Sequence, residues 1–157
     1  MKNSFRSVYR ILLLAAFAAF LNLPLRAQSP ATLTDADKVE GFFKNSGVEY
    51  INRSGAWLVK RQTTVYFFGV NEGILVGGVI LAKKANIRMT AESLSEMPRI
   101  NHKLDFLKVV IDDDGDVGLR FDARIRLLDQ KEFNLLLDQL FAGSTTATKT
   151  LQPYLIN

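Results

Sequence analysis

Between Val48 and Ala82 the chain is cut by turn residues into short runs that alternate with a period of two, and this stretch constrains the fold more than any other. Glu49-Tyr50-Ile51, Ala56 to Lys60, Thr63 to Val70 and Ile74 to Ala82 read as strands, parted by Ser54-Gly55 and by Asn71-Glu72-Gly73. Connections this short join only antiparallel neighbours, because a parallel pair needs a crossover of a dozen residues or more. The result is a four-stranded meander.

The inward side of that meander is harder to read, since both parities are apolar. Trp57 and Val59, Val65 and Phe67, and Ile74, Val76 and Ile80 are the expected inward set, with Tyr66, Phe68, Val79 and Leu81 on the opposite face. A sheet apolar on both sides is expected to be covered on both, by a helix or by a second subunit.

Helical spacing brackets the meander. Before it, Thr34 stands three residues ahead of Asp37 as an N-terminal cap, Ala36, Val39, Phe42 and Phe43 recur at helical intervals, and Gly47 is placed to terminate the helix, which spans about Asp35 to Asn45. After it, Leu94, Met97, Ile100 and Leu104 mark a helix within Thr90 to Leu104. Pro98 lies inside that pattern and predicts that the helix begins near Pro98 or bends there. Leu107 to Asp112 and Val117 to Ile125 form a hairpin across Asp113-Asp114-Gly115. Asp129 then opens an amphipathic helix carrying Phe133, Leu136, Leu137, Leu140 and Phe141, which Gly143 is expected to end, with a further short helix in Thr145 to Leu155. The order α-β-β-β-β-α-β-β-α gives an α+β fold, an antiparallel meander sheet with helices packed on one side.

The first 27 residues have a different character. Lys2, Arg6 and Arg10 precede the apolar run Ile11 to Leu21, and Leu25-Arg26-Ala27 comes next, which together read as a secretory signal peptide cleaved near Ala27. Asn22, Pro24 and Arg26 break the run below the roughly 20 apolar residues of a membrane span. Residues 28–33 read as a disordered leader and 34–157 as one domain in a periplasmic or secreted protein, with no stable membrane span once the signal is removed. Cleavage takes four of the 20 Lys and Arg and none of the 16 Asp and Glu, leaving sixteen of each. The excess positive charge that would suggest nucleic acid as a partner therefore leaves with the signal. The chain has no cysteine, so its apolar core must stabilise it without disulfides.

Candidate chemical groups are few. Asp112-Asp113-Asp114-Gly115-Asp116 resembles a calcium loop, but that register puts Val110 and Phe121 where oxygen ligands are required, so a hairpin turn is the better reading. His102 is the sole histidine, which excludes a histidine metal cage within one chain. Ser54, Ser93, Ser95 and Ser144 lack a nucleophile-elbow setting, and Gly73 and Gly77-Gly78 lack the Lys-Ser or Lys-Thr of a phosphate loop. Close packing or a bulge explains the glycine pair. Asn52-Arg53-Ser54 matches a glycosylation acceptor. No catalytic residue, metal or cofactor is assigned. Arg120, Asp122, Arg124 and Arg126 alternate opposite Leu119, Phe121, Ala123 and Ile125, and such arginines suit a groove for an acidic or polar partner segment.

From about Glu92 to Leu155 the chain resembles the YbjN family, whose fold is similar to that of type III secretion chaperones. The residues that carry the likeness are Ile100-Asn101, Lys108-Val109-Val110-Ile111-Asp112 leading into Asp114-Gly115-Asp116-Val117, the strand Leu119 to Ile125, the helix Gln130 to Leu140, and Leu151-Gln152-Pro153-Tyr154-Leu155. The N-terminal half agrees in its order of elements. The resemblance implies a dimeric protein that binds extended segments of a partner. The expected function is a non-enzymatic, chaperone-like binding protein, self-associated as a homodimer, with Trp57, Tyr66, Phe68, Arg120, Arg124 and Arg126 as partner-binding candidates. The alternatives are a small acid–base enzyme using Asp105, Asp112 or Asp122, or a structural component of the cell envelope.

Overall fold

The computed structural model describes residues Leu33–Ile156; the expected signal peptide and nearly all of the leader lie outside the described residues. Helix α1 (Asp35–Ser46) starts on a capping box, in which Thr34 Oγ1 accepts the Asp37 N–H and the Asp37 carboxylate accepts the Thr34 N–H, and it ends on Gly47 at φ 71°. Strands β1 (Tyr50–Arg53), β2 (Ala56–Arg61), β3 (Thr64–Asn71) and β4 (Ile74–Ala82) form a continuous meander after it. Helix α2 (Ala91–Lys103) leads to β5 (Lys108–Ile111) and β6 (Val117–Arg124), and α3 (Gln130–Leu151) closes the order.

The six strands form one antiparallel sheet in the order β1-β2-β3-β4-β6-β5. Two-residue turns join the meander. Ser54-Gly55 and Glu72-Gly73 both carry positive φ at each position, the backbone that matches the right-handed twist of the flanking strands. The β2–β3 turn is Gln62-Thr63, with Gln62 at φ 54°, so β3 starts at Thr64 and not at Thr63. Between β4 and β6 the register slips between Ile80 and Ala82, a bulge at Leu81.

All three helices pack on one face. Phe43 of α1 lies at the centre, its ring 5.6 Å from Trp57, 5.1 Å from Phe68 and 4.9 Å from Phe133 of α3. Stacked and edge-on contacts of this kind add about 0.5–1.5 kcal/mol per pair beyond the area they bury. Leu119, Phe121 and Ile125 complete the core from the β6 side, and Ile100 of α2 from beyond it. Gly77 sits in this layer because a β-carbon there would lie 2.5 Å from Phe121 Cζ and 2.8 Å from Phe68 Cδ1.

Four expectations need correction. The core face of β3 and β4 is Tyr66, Phe68, Leu75 and Val79, while Val65, Phe67, Ile74 and Ile80 are exposed. Register shows why: Trp57 pairs with Phe68 and Val59 with Tyr66, so these four share one face. Secondly, no helix among the described residues covers the other face. Thirdly, of the two outcomes expected at Pro98, a start there is overturned: α2 begins at Ala91 on a Thr90–Ser93 capping box, about two turns earlier, and runs on through Pro98. Fourthly, α3 runs unbroken past Gly143, whose missing side chain admits Leu107: a β-carbon there would lie 2.5 Å from Leu107 Cδ1. Beyond α3 there is a single 3-10 turn, Gln152–Tyr154.

Candidate binding surface

The register sets out the open face residue by residue. One row across the strands is Ile51, Leu58, Phe67, Gly78, Arg120 and Lys108. The row beside it passes from Lys60 through Val65 and on to Gly118 and Val110. A third holds Ala56, Gly69, Val76 and Asp122. The surface therefore divides along its width: β1 to β4 contribute an apolar half and β6 with β5 a charged half.

Within the apolar half Ile51, Val65, Phe67 and Ile80 are 38 to 58% exposed, and Leu58 and Val76 are half-buried between them. The Phe67 ring lies over Gly78, where a β-carbon would be 2.8 Å from Phe67 Cζ, so the glycine lets the aromatic ring lie down along the sheet. A shallow hollow beside edge strand β1, lined by Val48, Ile51, Leu58 and Val65 together with Tyr50 and the charged pair Glu49 and Lys60, continues this surface to the rim. In the charged half Arg120 holds Asp122 Oδ1 through Nε at 2.9 Å and through a terminal nitrogen at 2.7 Å. Arg124 and Lys108 are exposed and form no ion pair among the described residues.

Of the expected partner-binding residues, the structure puts Arg120 and Arg124 on this face. Trp57, Tyr66 and Phe68 are 0, 5 and 2% exposed under the helices, so they build the core beneath the surface and cannot touch a partner. Arg126 belongs to the 3-10 turn Ile125–Leu127 beyond the end of β6 and falls out of the charged stripe. Sequence reading missed Ile51, Leu58, Val65 and Phe67 as surface residues. The charged parity of β6 was the available signal, because antiparallel pairing carries it outward onto Gly78 and Val76, and from there onto Phe67.

The polar clusters elsewhere are saturated by structural bonds. Glu40 of α1 accepts from the Tyr50 hydroxyl at 2.7 Å, from Asn52 Nδ2 at 2.5 Å and from the Trp57 indole N–H. These donors, the indole first, hold its carboxyl below the ordinary glutamate range, and the hydrogen bond to that carboxylate in turn raises the Tyr50 hydroxyl above its own. With Asn52 so engaged, and its Oδ1 accepting from Gly55 N, the glycosylation motif lies inside a bonded turn. Asp116 binds Lys83 Nζ at 2.5 Å and the Lys84 N–H at 2.9 Å, which pins the acidic turn to the end of β4 and lowers its pKa, the lysine contributing most. Asp112 Oδ1 accepts the Asp116 N–H, and Gly115 takes φ 84°, as a hairpin turn requires. No group of three metal-ligating side chains occurs among the described residues. A groove of about 860 Å³ lies between α3 and the β3–β4 end of the sheet. Its buried hydroxyls, Tyr66 and Ser144, bond each other at 2.8 Å, and none of Asp105, Asp112 and Asp122 lines it.

In sequence, no family model and no curated protein matches the chain. Among solved structures it is similar to YbjN from E. coli, with a TM-score of 0.61 at 12% identity over 80% of this chain and 100% of that one. It is also similar to a chain of the heterodimeric ExoU–SpcU complex from the type III secretion system of Pseudomonas aeruginosa, with a TM-score of 0.58 at 17% identity over 73% and 98%. A third likeness is to the structure of the Yersinia pestis type III secretion chaperone SycH in complex with a fragment of YscM2, with a TM-score of 0.54 at 20% identity over 73% and 99%. At these identities the likeness is one of fold: the chain has the α+β architecture shared by YbjN and the type III secretion chaperones.

Proposed function

We propose that this chain is an exported, non-enzymatic binding protein, working as a homodimer, that holds an extended segment of a partner protein on its open sheet face or along an edge strand. The observation that carries this reading is the apolar half of that face, where Ile51, Leu58, Val65 and Phe67 stay in contact with solvent although three helices are available and all pack on the other side. A contiguous exposed apolar surface on a small protein is a place of association. Two neighbours of similar fold, those from the ExoU–SpcU and SycH–YscM2 structures, were solved with a protein partner, which supports the same use here. Edge strand β1 presents unpaired backbone groups, which an added strand can satisfy, from a partner or from a second copy, whereas on the β5 edge Asn101 Oδ1 already accepts the Val109 N–H. Export rests on the make-up of residues 1–27.

The test is site-specific photo-crosslinking in the native cell envelope. A photoreactive amino acid at Phe67 or Val65 is expected to capture a protein partner, and one at Ala142, on the helical side, to capture none. Equal capture from both positions, or turnover of a substrate by the purified protein, counts against the reading. Sedimentation at micromolar concentration checks the dimer, and a monomer at every concentration removes that part.

A further inference from the structure

The strands bring an uneven set of charges to the open face. Arg53, Lys60, Lys108, Arg120 and Arg124 point to the same side as Phe67, against two carboxylates, Asp122 in the charged half and Glu49 beside Lys60 at the β1 rim. The domain as a whole carries no such excess, since sixteen basic and sixteen acidic residues remain beyond residue 27. The imbalance belongs to this surface.

We infer that the segment held on this face is acidic as well as apolar, with its carboxylates placed on the β6–β5 side. The inference rests on the segment-holding reading above and adds the chemistry of the ligand. Neighbouring strands lie about 4.8 Å apart, so Arg120 is about 10 Å from Phe67 along the row they share, and Lys108 about 5 Å further. An extended chain advances about 3.3 Å per residue. Its side chains face the sheet only at every second residue, so a segment laid across the strands with an apolar side chain over Leu58 and Phe67 brings the side chain two positions on, about 7 Å away, within reach of the long Arg120 side chain, and the one four positions on, about 13 Å away, between Arg120 and Lys108. Aspartate or glutamate at those places meets arginine and lysine donors, whereas an apolar residue would strip water from them without return.

Charge also chooses among occupants. The chain's own first 32 residues contain Lys2, Arg6, Arg10 and Arg26 and no acid, so this face repels them. A second copy laid face to face would oppose the same cations. An anionic bilayer would meet Asp122 in the middle of the charged half, whereas an extended peptide has backbone N–H groups to offer that carboxylate.

The experiment uses the full chain and fluorescence anisotropy with three labelled 12-residue peptides, in which Leu-Val-Thr-Glu is repeated three times, or Gln or Lys replaces every Glu. The Glu peptide is expected to bind about tenfold tighter than the Lys peptide at low salt, with the advantage shrinking at 0.5 M salt. Lys108→Glu, Arg120→Glu and Arg124→Glu together, on exposed positions, should abolish the advantage of the Glu peptide over the Lys peptide, with circular dichroism confirming the fold. Phe67→Ser should weaken all three. If the Gln peptide binds as tightly as the Glu peptide and the triple reversal changes nothing, the acidic preference is wrong while segment holding stands. If no peptide binds, both fall. If phosphatidylglycerol vesicles bind, the triple reversal releases them and the peptides do not bind, the ligand is a lipid surface and the inference is overturned.

Discussion

Glu40 shows how a single carboxylate fastens two elements. It belongs to α1, but its three neutral donors come from β1 and β2. Glu40→Gln replaces charge-assisted bonds with neutral ones and is expected to cost about 1–3 kcal/mol in urea unfolding. Because its folded pKa lies below the ordinary 4.5, this stability is fully present above that value and is lost as pH falls through the depressed one. The stability difference between wild type and Glu40→Gln should therefore shrink below about pH 4.5, as followed by the emission of Trp57, the sole tryptophan. A difference that stays constant from pH 7 to pH 3 contradicts this. Gly77→Ala drives a methyl into the Phe121 and Phe68 rings and should cost about 1–3 kcal/mol by the same unfolding measurement. Phe106 is the reverse case: it is 70% exposed and held at φ 62°, so its side chain contributes little burial and its backbone is strained. Phe106→Gly is expected to stabilise by up to about 1 kcal/mol, which a lower unfolding midpoint would refute. Periodicity contains no sign of such a residue, because a left-handed backbone angle at a phenylalanine is imposed by the tertiary path between α2 and β5.

At the scale of elements, turn and cap chemistry was legible wherever a local bond decides the outcome. Thr34 with Asp37, Gly47, Ser54-Gly55 and Glu72-Gly73 all act as their residue types suggest. Strand parity in β3 and β4 was not legible, since Val65 and Phe67 are as apolar as Tyr66 and Phe68, and only pairing with Trp57 and Val59 breaks the tie. Glycine was misleading in α3 for a related reason. Gly143 has the composition of a helix stop but serves close approach to Leu107, a contact that no window of sequence contains. The start of that helix was readable from Asp129, whose side chain accepts the Glu132 N–H at 2.8 Å. Asp129→Ala should cost about 1 kcal/mol and lower the thermal midpoint, and an unchanged midpoint would show that the packing of α3 makes its cap dispensable.

For the whole molecule, the order of elements and the class of fold could be read from the alternation of periods, and the exposed face could not, because a sheet apolar on both sides looks identical whether or not something covers it. The architecture predicts a gradient of amide protection. Strands β2, β3, β4 and β6 are each paired on both sides, whereas β1 is a four-residue edge. Hydrogen exchange should be slower in the four interior strands than in β1, and early exchange of β4 would contradict the pairing. The same arrangement has a consequence for synthesis. Strand β4 receives its second neighbour, β6, only after all of α2 and β5 have been made. Until then a ribosome-bound chain carries a finished four-stranded ribbon whose most apolar strand, Ile74–Ala82, is its bare rim, and a product terminated before Val117 would be prone to join its neighbours through that rim into larger assemblies.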